Sequence, residues 1–137
     1  MRDAKFFFIV DDDQDDIDIF IEAVNKVDPS IKCIGVLNGK EAIQKLTATL
    51  LLPDIIFLDL NMPRIDGRQC LSEIKKIEKL NHIPVVIYST SSYEKDRRDT
   101  KELGASYFFT KPYNFIDLCK IISSIALGKL IDNSVGK

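Results

Sequence analysis

Five short apolar runs, at 6–10, 31–36, 54–59, 84–88 and 106–110, are separated by stretches of helical periodicity, and no other feature restricts the fold so sharply. Short continuous apolar runs bounded by turn residues read as strands buried on both faces. Between them, Ile17, Phe20, Ile21, Val24 and Val27 mark one apolar helix face, and Ala42, Ile43 and Leu46 a second within 39–47. Leu71, Ile74 and Ile77 mark a third, and Leu118, Ile122 and Ile125 the last, within 115–127. The stretch 93–103 also reads as a helix, capped by one of the hydroxyls that precede it, but it is mostly charged and is expected to pack weakly. Asp28-Pro29, Asn38-Gly39, Asp66-Gly67, Gly104 and Gly128 stand where elements must end. Strand and helix alternating five times imply an α/β fold, a five-stranded parallel sheet with helices on both faces.

At 137 residues, 45% hydrophobic and 29% charged, the chain is expected to form one domain, 5–128, with 129–137 as a C-terminal tail. A net charge of -2 gives no electrostatic basis for binding nucleic acid or an anionic membrane. No run is long enough to span a membrane, and the N-terminal apolar run is too short for a signal peptide. Cys33, Cys70 and Cys119 are widely spaced among apolar residues and form no CxxC pair, so buried free thiols in a cytoplasmic protein are expected.

Four of the five runs end in residues that chemistry can use. The first ends in Asp11-Asp12-Asp13, the third in Asp59, the fourth in Ser89 and the fifth in Lys111. In a parallel sheet these ends lie together, where open α/β sheets bind their ligands. The second ends blandly, in Leu37-Asn38-Gly39, as suits an outer strand with the first and third as neighbours. Taken singly, Asp13 can cap a helix, Lys111-Pro112 can be a surface turn, and Ser89 can be a cap. Their joint placement favours a site.

Asp11, Asp12 and Asp59 brought close together repel one another and call for counter-charge. Lys111 supplies one positive charge and a divalent cation supplies more. Carboxylate oxygens with no His or Cys near them select Mg²⁺, or Mn²⁺ in its place, over zinc; the one histidine, His82, precedes the fourth run. Mg²⁺ readily shares its shell with a phosphoryl group. The site then reads as Asp59 nucleophile, Lys111 charge clamp and Ser89 hydroxyl donor.

With these residues in place, the chain resembles a response-regulator receiver domain of two-component signalling. The resemblance rests on Ile9-Val10-Asp11-Asp12, on Leu58-Asp59-Leu60-Asn61-Met62-Pro63 with Asp66-Gly67, on Pro84 to Ser89, and on Lys111-Pro112. It implies a flavodoxin-like sheet of order 2-1-3-4-5 and a phosphoryl group accepted on Asp59 from a sensor histidine kinase or phosphotransfer protein. It implies Mg²⁺ held by Asp12, Asp59 and the backbone carbonyl of Asn61, with Asp11 acting through a metal-bound water. Ser89 takes the switch hydroxyl position and Phe108 the switch aromatic position, where many relatives carry Tyr. Thr90 stands where many have Ala or Gly, and its bulk is expected to restrict access to the phosphoryl group. The resemblance further implies a cytoplasmic, stand-alone switch, monomeric or dimerising on phosphorylation, that acts on a downstream protein.

Three other readings compete. A small Mg²⁺-dependent aspartyl phosphatase needs an acid two residues after its nucleophile, and Asn61 cannot move that proton. A receiver-like module that binds without phosphorylation does not require the full acidic and basic set. A flavin-binding protein is less well served, because the first loop is acidic where phosphate-binding groups are needed.

Overall fold

The computed structural model describes residues 5–62, 66–91 and 93–128. Pro63, Ser92 and the tail 129–137 lie outside the described residues. The strands are β1 (Phe6–Val10), β2 (Lys32–Val36), β3 (Ile55–Leu58), β4 (Val85–Ser89) and β5 (Tyr107–Thr110). They pair in parallel in the order β2-β1-β3-β4-β5, the flavodoxin-like order expected. The helices are α1 (Gln14–Val27), α2 (Gly39–Ala48), α3 (Gly67–Lys76), α4 (Glu94–Glu102) and α5 (Phe115–Ala126).

Alternation along each strand sorts its side chains to two cores. Phe6, Phe8, Ile56, Leu58 and Ile87 pack against Ala42 and Leu46 of α2 and Leu71 and Ile74 of α3. Phe7, Ile9, Phe57 and Tyr88 face α1 and α5, where Phe20, Val24, Leu118 and Ile122 are buried. The Phe20 ring lies 4.7 Å from that of Phe57 and 5.5 Å from that of Tyr88, which seats α1 over β3 and β4. Burying each such ring contributes roughly 2–3 kcal/mol. No described helix is long and apolar enough to cross a membrane.

Side chains at four helix starts satisfy open backbone donors. Asp13 accepts from the amides of Asp15 and Asp16, Asn38 from Glu41, Asp66 from Gln69 and Asn114 from Asp117. The expected hydroxyl cap of α4 is not formed in that way. Tyr93 occupies the cap position with no side-chain bond. Ser91 instead accepts the Tyr93 amide at 3.3 Å.

Several boundaries differ from the sequence reading because turn and capping bonds take over at the strand ends. Asp54 lies before β3; its amide bonds to the Phe6 carbonyl at 2.8 Å and its carboxylate accepts the Phe6 amide at 2.7 Å. Ile31 closes the turn after α1 through the Asp28 carbonyl, so β2 starts at Lys32. The thiols also need correction. Cys70 is buried, whereas Cys33 and Cys119 are only half-buried, Cys33 because β2 is an outer strand. Burial pushes the Cys33 and Cys70 thiols up to about 12, which keeps them protonated and unreactive at neutral pH.

Candidate phosphoacceptor site

Backbone bonds extend the ladder one step beyond the strands and thereby position the acidic and basic residues. The Asp11 amide donates to the Val36 carbonyl at 3.1 Å, Asp59 to Val10 at 3.0 Å, and Lys111 to Ser89 at 2.7 Å. Asp11, Asp59, Ser89 and Lys111 consequently meet at the carboxyl end of the sheet, where Asp11, Asp59 and Ser89 are buried. The Lys111 side chain is only 12% exposed.

The Lys111 ammonium donates to Asp11 Oδ2 at 2.8 Å and to Asp16 Oδ2 at 2.9 Å, and stands 3.6 Å from Asp59 Oδ2. It also lies 5.4 Å from the centre of the Tyr88 ring. Burial alone would lower the Lys111 pKa. Its bonds to Asp11 and Asp16 and the charge of Asp59 outweigh that cost and hold it above the usual lysine value. Asp16 is a first-turn acid of α1, and nothing else in its sequence context marks it as a site residue. With Asp13 as the cap, that place in the first turn of the helix is the available signal, and only the seating of α1 over the sheet brings it to Lys111.

The carboxylates of Asp11, Asp16 and Asp59 surround the Lys111 ammonium. Burial pushes Asp59 up to about 6; Lys111 opposes the rise, Asp11 and Asp12 add to it, and the Asn61 amide, 3.3 Å from Asp59 Oδ1, opposes it. Burial also raises Asp11, against its bonds from Lys111 and from the Asp13 amide at 3.0 Å. Carboxylate oxygens of Asp11, Asp12 and Asp59 lie within 4.8 Å of one another, with Asp12 exposed to solvent. These are hard oxygen donors whose charge Lys111 does not balance, and a divalent cation suits them.

The remaining predicted residues surround this cluster. Ser89 is fully buried and its hydroxyl accepts from Asn61 Nδ2 at 3.4 Å and from the Ser91 amide at 3.3 Å. Thr90 is exposed beside it. Phe108 is buried in the core shared with α2 and α3. Arg97 of α4 stacks on the Phe108 ring at 4.8 Å and donates to its carbonyl at 3.4 Å.

Gly67, the first residue of α3, lets that helix approach the site. A Cβ at this position would stand 2.4 Å from the Asp59 carbonyl oxygen and 2.5 Å from Leu60 Cα, both backbone atoms. Gly67→Ala is therefore expected to destabilise the fold by about 1–3 kcal/mol in urea unfolding, as overpacking does. Unchanged stability would mean that α3 can shift freely from β3.

Residues 7–123 match the response regulator receiver domain. The chain belongs to that family. Receiver domains are signalling modules of two-component systems that take phosphoryl groups from histidine kinases, and the family binds a divalent metal. This receiver domain is 44% identical over 73 residues to "Response regulator Rcp1" of Synechocystis sp., covering 53% of this chain and 50% of that protein. It spans about half the length of the first curated relatives it matches. The crystal structure of the phosphorylated cyanobacterial phytochrome response regulator RcpA is similar with a TM-score of 0.83 and 34% identity, over 93% of this chain and 97% of that one. The Mn²⁺-bound form of Rcp1 is similar with a TM-score of 0.75 and 30% identity, over 93% of this chain and 97% of that one.

Proposed function

We propose that this receiver domain accepts a phosphoryl group on Asp59 from a sensor histidine kinase or phosphotransfer protein, in the presence of Mg²⁺, and thereby switches a protein-binding face. The observation that carries the reading is the Lys111 ammonium placed between Asp11, at 2.8 Å, and Asp59, at 3.6 Å, inside an acidic cluster it does not neutralise. An Asp59 carboxylate oxygen forms the new bond to phosphorus. The bond from phosphorus to the donor histidine breaks, and its electron pair stays with the imidazole nitrogen. Lys111 orients and neutralises the incoming phosphoryl oxygens, and the Ser89 hydroxyl donates to one of them after leaving Asn61 and Ser91. Asp12, Asp59 and the Asn61 carbonyl would hold the divalent cation, with Asp11 acting through a bound water, and the cation would supply positive charge against the equatorial oxygens of a loose transition state.

Thr90 flanks the path to Asp59 and restricts access to it. Phe108 is the aromatic that repacks when Ser89 moves, and the face formed by α4, β5 and α5 carries the change to a downstream protein. The domain spans 5–128. Because the similar protein RcpA is described as a phytochrome response regulator, a phytochrome-type kinase is the natural donor to try first.

The test is incubation with acetyl phosphate and Mg²⁺, read as intact mass. The expected result is a Mg²⁺-dependent gain of one phosphoryl group that disappears in Asp59→Asn. If neither acetyl phosphate nor beryllium fluoride engages the protein with Mg²⁺ present, the chain acts as a phosphorylation-independent binding module instead.

A further inference from the structure

Helix α4 buries only Thr100 fully, and that hydroxyl bonds back to the Asp96 carbonyl at 2.8 Å. Apolar packing therefore does little to set the position of this helix. Asp96 does more. Arg68 of α3 pairs with its Oδ1, and the Ser91 hydroxyl donates to its Oδ2. Both carboxylate oxygens are thus committed, one to the neighbouring helix and one to the segment joining β4 to α4.

Ser91 is in turn tied to the acceptor end of the sheet. Its amide donates to Ser89 Oγ at 3.3 Å, and its carbonyl accepts from Thr110 Oγ1 at 3.1 Å. A continuous polar path runs from the Ser89 hydroxyl through Ser91 and Asp96 to Arg68. For Ser89 to turn toward a group on Asp59, it must release the Ser91 amide. Ser91 is then free to move, and the carboxylate of Asp96 loses the partner that fixes one oxygen.

We propose that Arg68, Asp96 and Ser91 form a latch that holds α4 in its phosphate-free position, and that closure of Ser89 on a phosphoryl group opens it. The inference rests on the phosphoacceptor reading above and names the regulation of that site. Coupling of this kind is reciprocal: a latch that favours the free form weakens phosphoryl-group binding, and breaking it strengthens that binding. Arg97 anchors α4 to β5 separately, through the Phe108 ring and carbonyl, so latch variants retain one attachment of the helix.

The test measures Mg²⁺-dependent binding of beryllium fluoride by calorimetry, alongside amide exchange of residues 94–102 in the unliganded protein. Arg68→Gln and Asp96→Asn are each expected to tighten binding about three- to tenfold and to speed exchange in α4 but not in α5. The double variant should gain no more than either single one. Arg68→Lys should stay close to the wild type. Lys95→Ala breaks the exposed Lys95–Asp99 pair of the same helix, 2.7 Å long, without touching the latch, and should change neither readout. Wild-type binding with no gain, or a loss, in Arg68→Gln and Asp96→Asn would overturn the latch and leave the phosphoacceptor reading standing. A wild-type protein that binds no beryllium fluoride would overturn both.

Discussion

Replacing Lys111 with methionine is expected to cost about 2–4 kcal/mol of stability at pH 8, because it leaves three carboxylates around an empty position. Asp11 and Asp59 are buried and cannot turn to water, whereas the Asp16 side chain is 37% exposed and can, which keeps the loss below that of a fully enclosed pair. The sign of the pH dependence is distinctive. Lys111 is held above its ordinary value, so its contribution is fully present at neutral pH and is lost only as alkaline pH removes its proton. Without it, Asp11 and Asp59 must be raised further, and lowering the pH protonates them and relieves the repulsion. Urea unfolding should therefore show a defect in Lys111→Met that is large at pH 8 and shrinks toward pH 5. A defect that ignores pH would mean that the lysine acts through its aliphatic stem and not through its charge. Phosphoryl uptake from acetyl phosphate should fall at the same time, since the clamp on the incoming oxygens is gone.

Asp59→Asn is expected to act in the opposite direction on stability while abolishing phosphoryl uptake. The folded protein raises Asp59 to about 6, against an ordinary value of 3.8. It therefore binds that proton more tightly than the unfolded chain does. The ionised group costs stability above pH 6, and the cost is relieved as the pH falls from 6 toward 4. Removing the charge should raise stability by about 1–3 kcal/mol at pH 7.5 without divalent cation, and by little at pH 4.5. Addition of Mg²⁺ should narrow the difference by stabilising the wild type through binding. Thermal unfolding at the two pH values, with Mg²⁺ or with a chelator, checks all four corners. A variant less stable than the wild type at pH 7.5 without cation would mean that Lys111 and the Asn61 amide already balance the Asp59 charge.

How much of this was legible beforehand differs from residue to residue. The periodicities of 6–10 and 14–27 required a buried strand and an amphipathic helix, and the structure has both. The same reading placed Asp11, Asp59 and Lys111 at one end of a parallel sheet, because strand ends follow from where apolar runs stop. The pairing of Asp16 with Lys111, 95 residues later, is not legible, since it depends on how α1 seats over the sheet. Helix α4 was legible as weakly packed from its charge pattern. The pairing of Asp96 with Arg68, 28 residues earlier, was not. Charges on a polar helix carry no mark of which one turns inward. Cys33 and Cys119 are less buried than their apolar sequence neighbours imply, because such neighbours do not report which positions of an element stay open to solvent.

By itself, the sequence determined the class of fold, the ends of the strands and the identity of the groups gathered there. Those properties are local: side-chain period, turn chemistry and residue type act over a few neighbours and survive without long-range detail. Tertiary structure alone decided that Lys111 bridges Asp11 and Asp16, that burial drives Asp59 to about 6, and that the Ser89 hydroxyl faces Asn61 and Ser91. A hydrogen bond forms or fails within a fraction of an ångström, and the desolvation of a carboxylate depends on every element packed over it. Both are set by the register of the parallel strands and the seating of α1 and α4, which no local pattern encodes.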